Sequence, residues 1–286
     1  MNGIVIVDKP QDWTSQDVTA RLRRVFQTRR IGHGGTLDPM ATGVLPVFVG
    51  RATRGVEFFE HAEKVYETTL LLGKTTDTED ITGTVLTEQE VSISESDFLQ
   101  ILPQFRGEIQ QVPPMYSALK VNGQKLCDLA RKGKEVERQS RTITIFELTC
   151  LAFDGKEARL RVRCSKGTYI RTLCKDIGQA LGCGGCMKQL RRVSAGEYAL
   201  AQSVPLQTLL EAEHPEQYLL PVDSMFAGYP AITLTPKQEQ RCRNGNAFSL
   251  NAAEGTYRVY GQTGEFLALS QVKDGIMSTI KSFFDV

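Results

Sequence analysis

In "RIGHGGTLDPMATGVLPV" (Arg30–Val47) a single acid, Asp38, stands among glycines, hydroxyls and apolar residues. An Asp-Pro pair commonly does no more than cap a turn. Here glycines at 32, 34 and 35 leave the backbone open to a flat substrate, Pro39 restricts the chain and Gly43 releases it. A carboxylate held in such a loop can attack or stabilise an electron-poor carbon, as glycosidase carboxylates do at an anomeric centre.

The flanks place this stretch between a helix and a strand. Upstream, Ile4 to Val7 reads as a buried strand. Thr14 with Asp17 forms a capping box that opens a helix with the apolar stripe Val18, Leu22, Val25 and Phe26. Gly32 follows the expected helix end, so the stretch is expected to be a loop that runs into an apolar strand, Val44 to Val49. Downstream, Val65 to Leu72 is a further strand, and Ser94 with Asp97 caps a helix reaching about Leu102. Thr142 to Phe153 and Ala158 to Cys164 alternate like paired strands joined at Asp154-Gly155. The helix after them carries Ile170, Leu173, Ile177 and Leu181 on one face. Many strands with interspersed helices predict an α+β domain on a largely antiparallel sheet.

Near Pro221 to Pro230 the texture changes. Thr235-Pro236 with Gln238 opens a short helix that ends near Asn244-Gly245, and short strands follow around Thr256 to Val272. The expected division is residues 1–229 and a small β-rich unit at 230–286.

A chain of 286 residues can bury one large core and a small one. Its seven scattered cysteines, and the lack of a basic flank and long apolar run in Met1 to Pro10, predict a reducing, cytoplasmic setting. Apolar runs such as Gly3 to Val7 and Thr69 to Gly73 are far shorter than the roughly 20 residues of a membrane span, so no membrane partner is expected. The net charge of +1 conceals segregation. From Arg21 to Arg54 the charges are Arg21, Arg23, Arg24, Arg29, Arg30, Arg51 and Arg54, with Asp38 as the only acid. A second basic run passes through Lys120, Lys125, Arg131, Lys132, Lys134, Arg138 and Arg141, while acids gather elsewhere, at Asp77, Glu79 and Asp80 among others. Such segregation suits an acidic partner such as nucleic acid; a solvated face is the bland alternative.

Three other chemistries fit poorly. "LGKTT" (Leu72–Thr76) ends like a phosphate-binding loop, but the glycine required at 68 is Thr68. "CGGC" (Cys183–Cys186) has ligand-like spacing without a second pair or a histidine cluster. A serine hydrolase would need a G-x-S-x-G elbow, which the sequence lacks.

"GHGGTLDPMATGVLPVFVGRATR" (Gly32–Arg54) resembles the signature of the bacterial tRNA pseudouridine synthase B family. "GIVIVDKPQDWTS" (Gly3–Ser15), "KVYETTLLLGKTTDTEDITG" (Lys64–Gly83), "PPMYSALKVNG" (Pro113–Gly123), "CSKGTYIRTLCKDIG" (Cys164–Gly178) and "LRR" (Leu190–Arg192) resemble its other motifs in the same order. The resemblance implies an α+β pseudouridine synthase fold with a largely antiparallel mixed sheet, flanking helices and a C-terminal PUA domain. It implies isomerisation of a uridine in the T-loop of tRNA, position 55, without a cofactor, guide RNA or protein partner, by a monomer.

By the same resemblance Asp38 is the nucleophile, Arg171 its cationic partner and Tyr66 the residue that stacks on the target base and is a candidate general base. Covalent attack at ribose C1′ or at C6 of the base both remain open. The uridine must be flipped out, and His33 matches the residue that fills the gap. Lys64, Tyr116, Lys120, Leu190, Arg191 and Arg192 are candidate RNA contacts, and residues 120–141 correspond to a loop that folds over the RNA. The PUA-like unit would reach the acceptor stem, with Lys237, Arg241 and Arg243 as backbone contacts. Cys127 and Cys186 stand where the family commonly has tyrosine and histidine. A non-catalytic RNA-binding or tRNA-chaperone protein is the rival reading; it would use the same basic face but gain nothing from Asp38, whose charge repels phosphate.

Overall fold

The computed structural model describes residues 1–121 and 123–284. Asn122, in the expected RNA-contacting loop, and Asp285 and Val286, at the end of the expected C-terminal unit, lie outside the described residues. The chain begins with β1 (Gly3–Lys9), α1 (Ser15–Val25), β2 (Ile31–His33), β3 (Thr42–Val49), α2 (Val56–Phe59) and β4 (Lys64–Leu72). Next come β5 (Lys74–Thr76), β6 (Val85–Glu88), α3 (Glu95–Ile101), β7 (Gly107–Gln111), β8 (Lys120–Val121), β9 (Gln124–Lys125) and α4 (Leu126–Ala130). Then follow β10 (Arg141–Phe153), β11 (Glu157–Cys164), α5 (Ile170–Ala180), β12 (Gly185–Ala195), β13 (Tyr198–Ala199), β14 (Val204–Pro205) and α6 (Leu206–Glu211). The chain closes with β15 (Ala231–Thr233), α7 (Pro236–Arg243), β16 (Phe248–Ser249), β17 (Gly255–Tyr260), β18 (Phe266–Lys273) and β19 (Ile276–Ser282).

Two units form. One holds Met1–Pro39, Leu45–Glu60 and Ala201–Val286; the other holds Met40–Val44 and His61–Leu200. In the first, β1 lies between β14 and β3, which explains its unbroken apolar run: a strand covered on both faces need not alternate. The expected capping box is present, with Thr14 Oγ1 accepting from the Asp17 N–H at 3.0 Å and the Asp17 carboxylate accepting from the Thr14 N–H at 3.1 Å. The stretch expected to be a loop is corrected in part. Ile31–His33 pairs antiparallel with Val47–Val49, and the Gly34 N–H donates to the Pro46 carbonyl at 2.9 Å.

The same unit contains a separate five-stranded sheet, β15-β17-β18-β19-β16, closed over α7 by Leu234, Cys242, Val259, Leu267, Met277 and Phe284. Arg51 donates to the Phe283 carbonyl at 3.3 Å and pairs with Glu265 at 3.4 Å, while Arg54 donates to the Ser282 and Phe284 carbonyls at 3.2 Å. Lys281 reaches Glu57 at 2.5 Å.

In the second unit the strand order β12-β4-β11-β10-β7 is antiparallel throughout, and β12 also pairs in parallel with Thr42 and Gly43. Ala158, Leu160, Val162 and Cys164 of β11 are buried while Arg159 and Arg161 between them are exposed, the alternation expected of a strand covered on one face. α5 covers that sheet, with Thr68 Oγ1 of β4 and Cys174 Sγ of α5 at 3.9 Å. Gly73 (φ +80°) turns β4 into β5, so the Gly-Lys-Thr tail leads into a strand and not the helix of a phosphate loop.

Gly43, at φ +101°, runs so close to β12 that a Cβ there would lie 2.2 Å from the Arg192 carbonyl oxygen. Gly43→Ala is expected to lower the free energy of unfolding by at least about 2 kcal/mol. Urea denaturation checks this, and an unshifted midpoint would show that the strand yields without cost.

Candidate active site

Asp38 sits between two anchored residues of the first unit. On one side the Leu37 N–H donates to Ser15 Oγ at 2.9 Å, and that hydroxyl is 3.3 Å from the Leu37 carbonyl. On the other, the Pro39 carbonyl accepts from the Asp12 N–H at 2.8 Å and from Lys9 Nζ at 3.1 Å. Lys9 Nζ also donates to the carbonyls of Pro10 (2.9 Å) and Trp13 (2.6 Å). The Lys9 side chain is fully buried at 0 % exposure. An ammonium so placed is tolerated only because carbonyls satisfy its protons, so it fixes the end of β1 and the approach to α1 against the corner at Pro39. The Asp38 side chain itself is half-buried, and His33, the expected gap-filling residue, is half-buried on β2.

The second unit carries Tyr66 and Arg171. Tyr66 lies directly opposite Val162 and Arg192 on the neighbouring strands. Strand alternation puts it on the face shared by Lys64 and Thr68, and the Thr68–Cys174 contact identifies that face as the one beneath α5. Arg171 precedes Cys174 by one turn. It is 4 % exposed, with Nη1 donating to the Thr78 carbonyl (3.0 Å), Nη2 to the Tyr116 carbonyl (2.8 Å) and Nε 3.9 Å from the Asp80 carboxylate. Gln111 fixes the start of α5, accepting from the Tyr169 N–H at 2.8 Å and donating to its carbonyl at 3.0 Å.

Two acids that sequence reading counted only as charge balance are structural members of this region. The Asp80 carboxylate accepts from Thr78 Oγ1 (2.9 Å), Thr82 Oγ1 (2.6 Å) and the Thr82 N–H (3.0 Å). Buried Glu79, at φ +65°, accepts from Thr172 Oγ1 (2.6 Å) and Lys175 Nζ (2.7 Å) of α5. The interleaved threonines and acids of "TDTEDITG" were the available signal, since such residues build turns through side chain to backbone bonds.

The expected RNA contacts separate into groups. Lys120 is exposed on β8, opposite Lys125 on β9; Tyr116 is half-buried. Arg191 donates to Thr42 Oγ1 at 3.1 Å, and Leu190 lies opposite Thr68 at 8 % exposure. Two of the expected cationic contacts are buried. Arg192 is only 1 % exposed and its Nε donates to the Val44 carbonyl at 2.7 Å, a bond that ties β12 to β3; Lys64 is buried, with Nζ on the Ala62 carbonyl at 2.6 Å. Cys186 is fully buried, and burial pushes its thiol up to about 11.

A family model for the N-terminal domain of TruB family pseudouridylate synthases matches residues 23–170, and one for the tRNA pseudouridylate synthase B C-terminal domain matches residues 171–227. The chain belongs to the TruB pseudouridylate synthase family. It is 40 % identical over 289 residues to the tRNA pseudouridine synthase B of Clostridium kluyveri, covering 99 % of this chain and 100 % of that protein. It is 46 % identical to the protein of the same name from Dechloromonas aromatica, covering 92 % and 89 % of the two chains. A solved Cbf5-Nop10-Gar1 complex contains a chain 25 % identical with a TM-score of 0.74, covering 99 % of this chain and 85 % of that one. A chain of an H/ACA RNP bound to a substrate RNA containing 2'-deoxyuridine shares the fold, with a TM-score of 0.74 at 23 % identity and coverage of 99 % and 85 %. The fold is therefore that of a TruB-type synthase with a β-rich C-terminal part.

Lys9→Met would take the ammonium from the Pro10 and Trp13 carbonyls and leave the Pro39 carbonyl with the Asp12 N–H, and is expected to destabilise the protein by about 3 kcal/mol in urea titrations. A smaller loss than about 1 kcal/mol would mean that water replaces the ammonium readily. Asp176 supplies a pH test. Burial raises its carboxyl from 3.8 to about 6, with Lys175 opposing and Glu79 reinforcing the shift. The folded state thus binds the proton more tightly than the unfolded chain, and the stability this gives at low pH is lost as pH rises toward about 6. Asp176→Asn should become more stable relative to wild type across that interval, as measured by urea unfolding at acidic and neutral pH; a constant difference would overturn the assignment.

Proposed function

We propose that this pseudouridine synthase isomerises the uridine at position 55 in the T-loop of tRNA, with Asp38 as its nucleophile. The observation that carries the reading is the Asp38 loop, whose backbone is pinned on both sides by Ser15, Asp12 and the buried Lys9 within the family's signature. The curated relatives that match nearly the whole chain are named for action on tRNA.

The reaction breaks the bond from ribose C1′ to N1 and makes one from C1′ to C5. It has no net redox change and no group donor; C5 loses its proton to a base and N1 gains one, so an acid, a cation, a stacking surface and a base, for which Tyr66 is the candidate, suffice. Asp38 forms the covalent link once the base is flipped out of the loop. Arg171 pairs with that carboxylate and keeps it ionised; its hold on two carbonyls gives the guanidinium a fixed position. Tyr66 stacks on the target base, and His33 fills the space the base leaves. Tyr116, Lys120, Leu190 and Arg191 line the RNA path. Lys120 opposite Lys125 supports this, because like charges across a hairpin are unfavourable unless an anion joins them. Lys64 and Arg192 are further RNA contacts beside Tyr66, and Arg192 also ties β12 to β3. Residues 230–286 act as a PUA-like unit that touches tRNA backbone through Lys237 and Arg241, while Arg243 is occupied by Glu239 (2.8 Å) and Glu265 (2.6 Å). The chain works as a cytoplasmic monomer without guide RNA.

The test is tritium release from a T-arm RNA labelled at C5 of its uridines, with no added metal or nucleotide. Wild type should release tritium, and Asp38→Asn should lose at least about a thousandfold in rate while still binding RNA. Equal release by both proteins would refute Asp38 as nucleophile. Binding without release by either would favour a protein that only binds RNA.

A further inference from the structure

Resting on the RNA-substrate reading above, we propose that the last turn of α1 and the residues after it form a second contact surface for the substrate RNA, gripping its sugar–phosphate backbone away from the uridine at Asp38. The seven arginines from Arg21 to Arg54 divide sharply in the structure. Arg51 and Arg54 are used within their own unit, on Glu265 and on the carbonyls of residues 282–284. Arg21, Arg23, Arg24, Arg29 and Arg30 are all exposed, and among the described residues no carboxylate comes within ion-pair distance of any of them. The one acid of α1, Asp17, lies in its first turn, bonded to Thr14 and one turn before Arg21, whose charge helps those bonds to lower its carboxyl; Arg21 also stands 5.9 Å over the Trp13 ring, and Arg23, Arg24, Arg29 and Arg30 lie farther along.

Several arginines elsewhere on the chain are treated differently. Exposed Arg159 and Arg161 pair with Glu67, and half-buried Arg163 and Arg258 pair with Glu63 and Asp223. Exposed Arg141 and Arg241 also lack a carboxylate among the described residues, but they stand singly, whereas five such arginines gather around α1. Val18, Leu22 and Phe26 face inward, which leaves Arg21 and Arg24, three positions apart, on the outer side. The helix then closes with Gln27 at φ +47°, its N–H on the Arg24 carbonyl (3.3 Å) and the Thr28 N–H on the Arg23 carbonyl (3.1 Å). That reversal returns Arg29 and Arg30 toward the helix end, and the Arg30 carbonyl is fixed by the Gly50 N–H at 2.8 Å.

A helix dipole favours cations in the last turn, which accounts for Arg23 and Arg24 at most. Arg29 and Arg30 lie beyond it, and four guanidinium groups within eight residues repel one another until an anion enters. Phosphodiesters match both their charge and their forked donors. The position also fits. α1 starts at Ser15, beside Asp38, and eight or nine residues of helical rise put Arg23 and Arg24 about 12 to 14 Å along its axis. That reaches phosphates flanking the target nucleotide but not its base, so the contact is independent of sequence.

The experiment measures binding of a fluorescein-labelled, full-length tRNA transcript against salt concentration. The Asp38→Asn protein is compared with the same protein carrying R23Q/R24Q, R29Q/R30Q or R23K/R24K. Each glutamine pair should flatten the slope of log K against log salt by about 1.5 to 2, and the lysine pair should keep it. In the otherwise wild-type enzyme the glutamine pairs should raise KM for tritium release and leave kcat unchanged. Unchanged slopes in both glutamine pairs would overturn the proposal, as would a lysine pair that falls as far as glutamine, or a fall in kcat with the slope intact. If wild type releases no tritium the uridine reading fails, whereas the salt slopes still decide this surface.

Discussion

Three backbone carbonyls, from Pro10, Trp13 and Pro39, converge on the ammonium of Lys9 in the interior of the first unit. Moving such a cation out of water costs several kcal/mol unless its protons are well placed, so the carbonyls must hold their geometry for the unit to be stable. That requirement joins the end of β1, the entry to α1 and the corner after Asp38 into one rigid feature. The Asp38 backbone thereby inherits its position from the core, although it lies on a glycine-rich loop.

The second unit solves a similar problem with a different device. Arg171 is buried on α5, and its guanidinium is held by the carbonyls of Thr78 and Tyr116. Glu79 and Asp80 bracket the same turn, one reaching Thr172 and Lys175 and the other closing the turn through Thr78 and Thr82. Because the turn is tied to the helix at Thr172, the residue beside Arg171, a shift in either would move both. A buried cation with satisfied partners is stiff, so the guanidinium keeps one position.

Local patterns were legible in the sequence because their physics is local. The boxes at Thr14 and Thr235 and the cap at Ser94 act over three residues, and all three form. The alternation of β10 and β11 reports burial on one face, and Gly155 at φ +93° supplies the turn between them. β2 and β12 were not legible. Each depends on partners distant in the chain, and Gly32 and the glycines around Cys183 imitate loop signals. Asp38, Tyr66 and Arg171 stood out through motif resemblance, while Lys9, Ser15 and Glu79 did not, although all three lie within quoted motifs. Their roles rest on contacts 22 to 96 residues away, such as Ser15 to Leu37 and Lys175 to Glu79, which no window of sequence contains.

The first unit is assembled from three separated segments, and the last, Ala201–Val286, supplies β14 beside β1 and the bonds to Arg51 and Arg54. On the ribosome, the strand that leads into Lys9 therefore lacks its β14 partner until the segment after Ala201 has been made. At roughly 5 to 20 residues per second the final segment alone takes on the order of ten seconds to emerge. The second unit is nearly continuous and has its partners much earlier. Nascent chains thus hold the Gly3–Val7 apolar strand against β3 alone until β14 is made, and the unit that carries Asp38 is completed after the other.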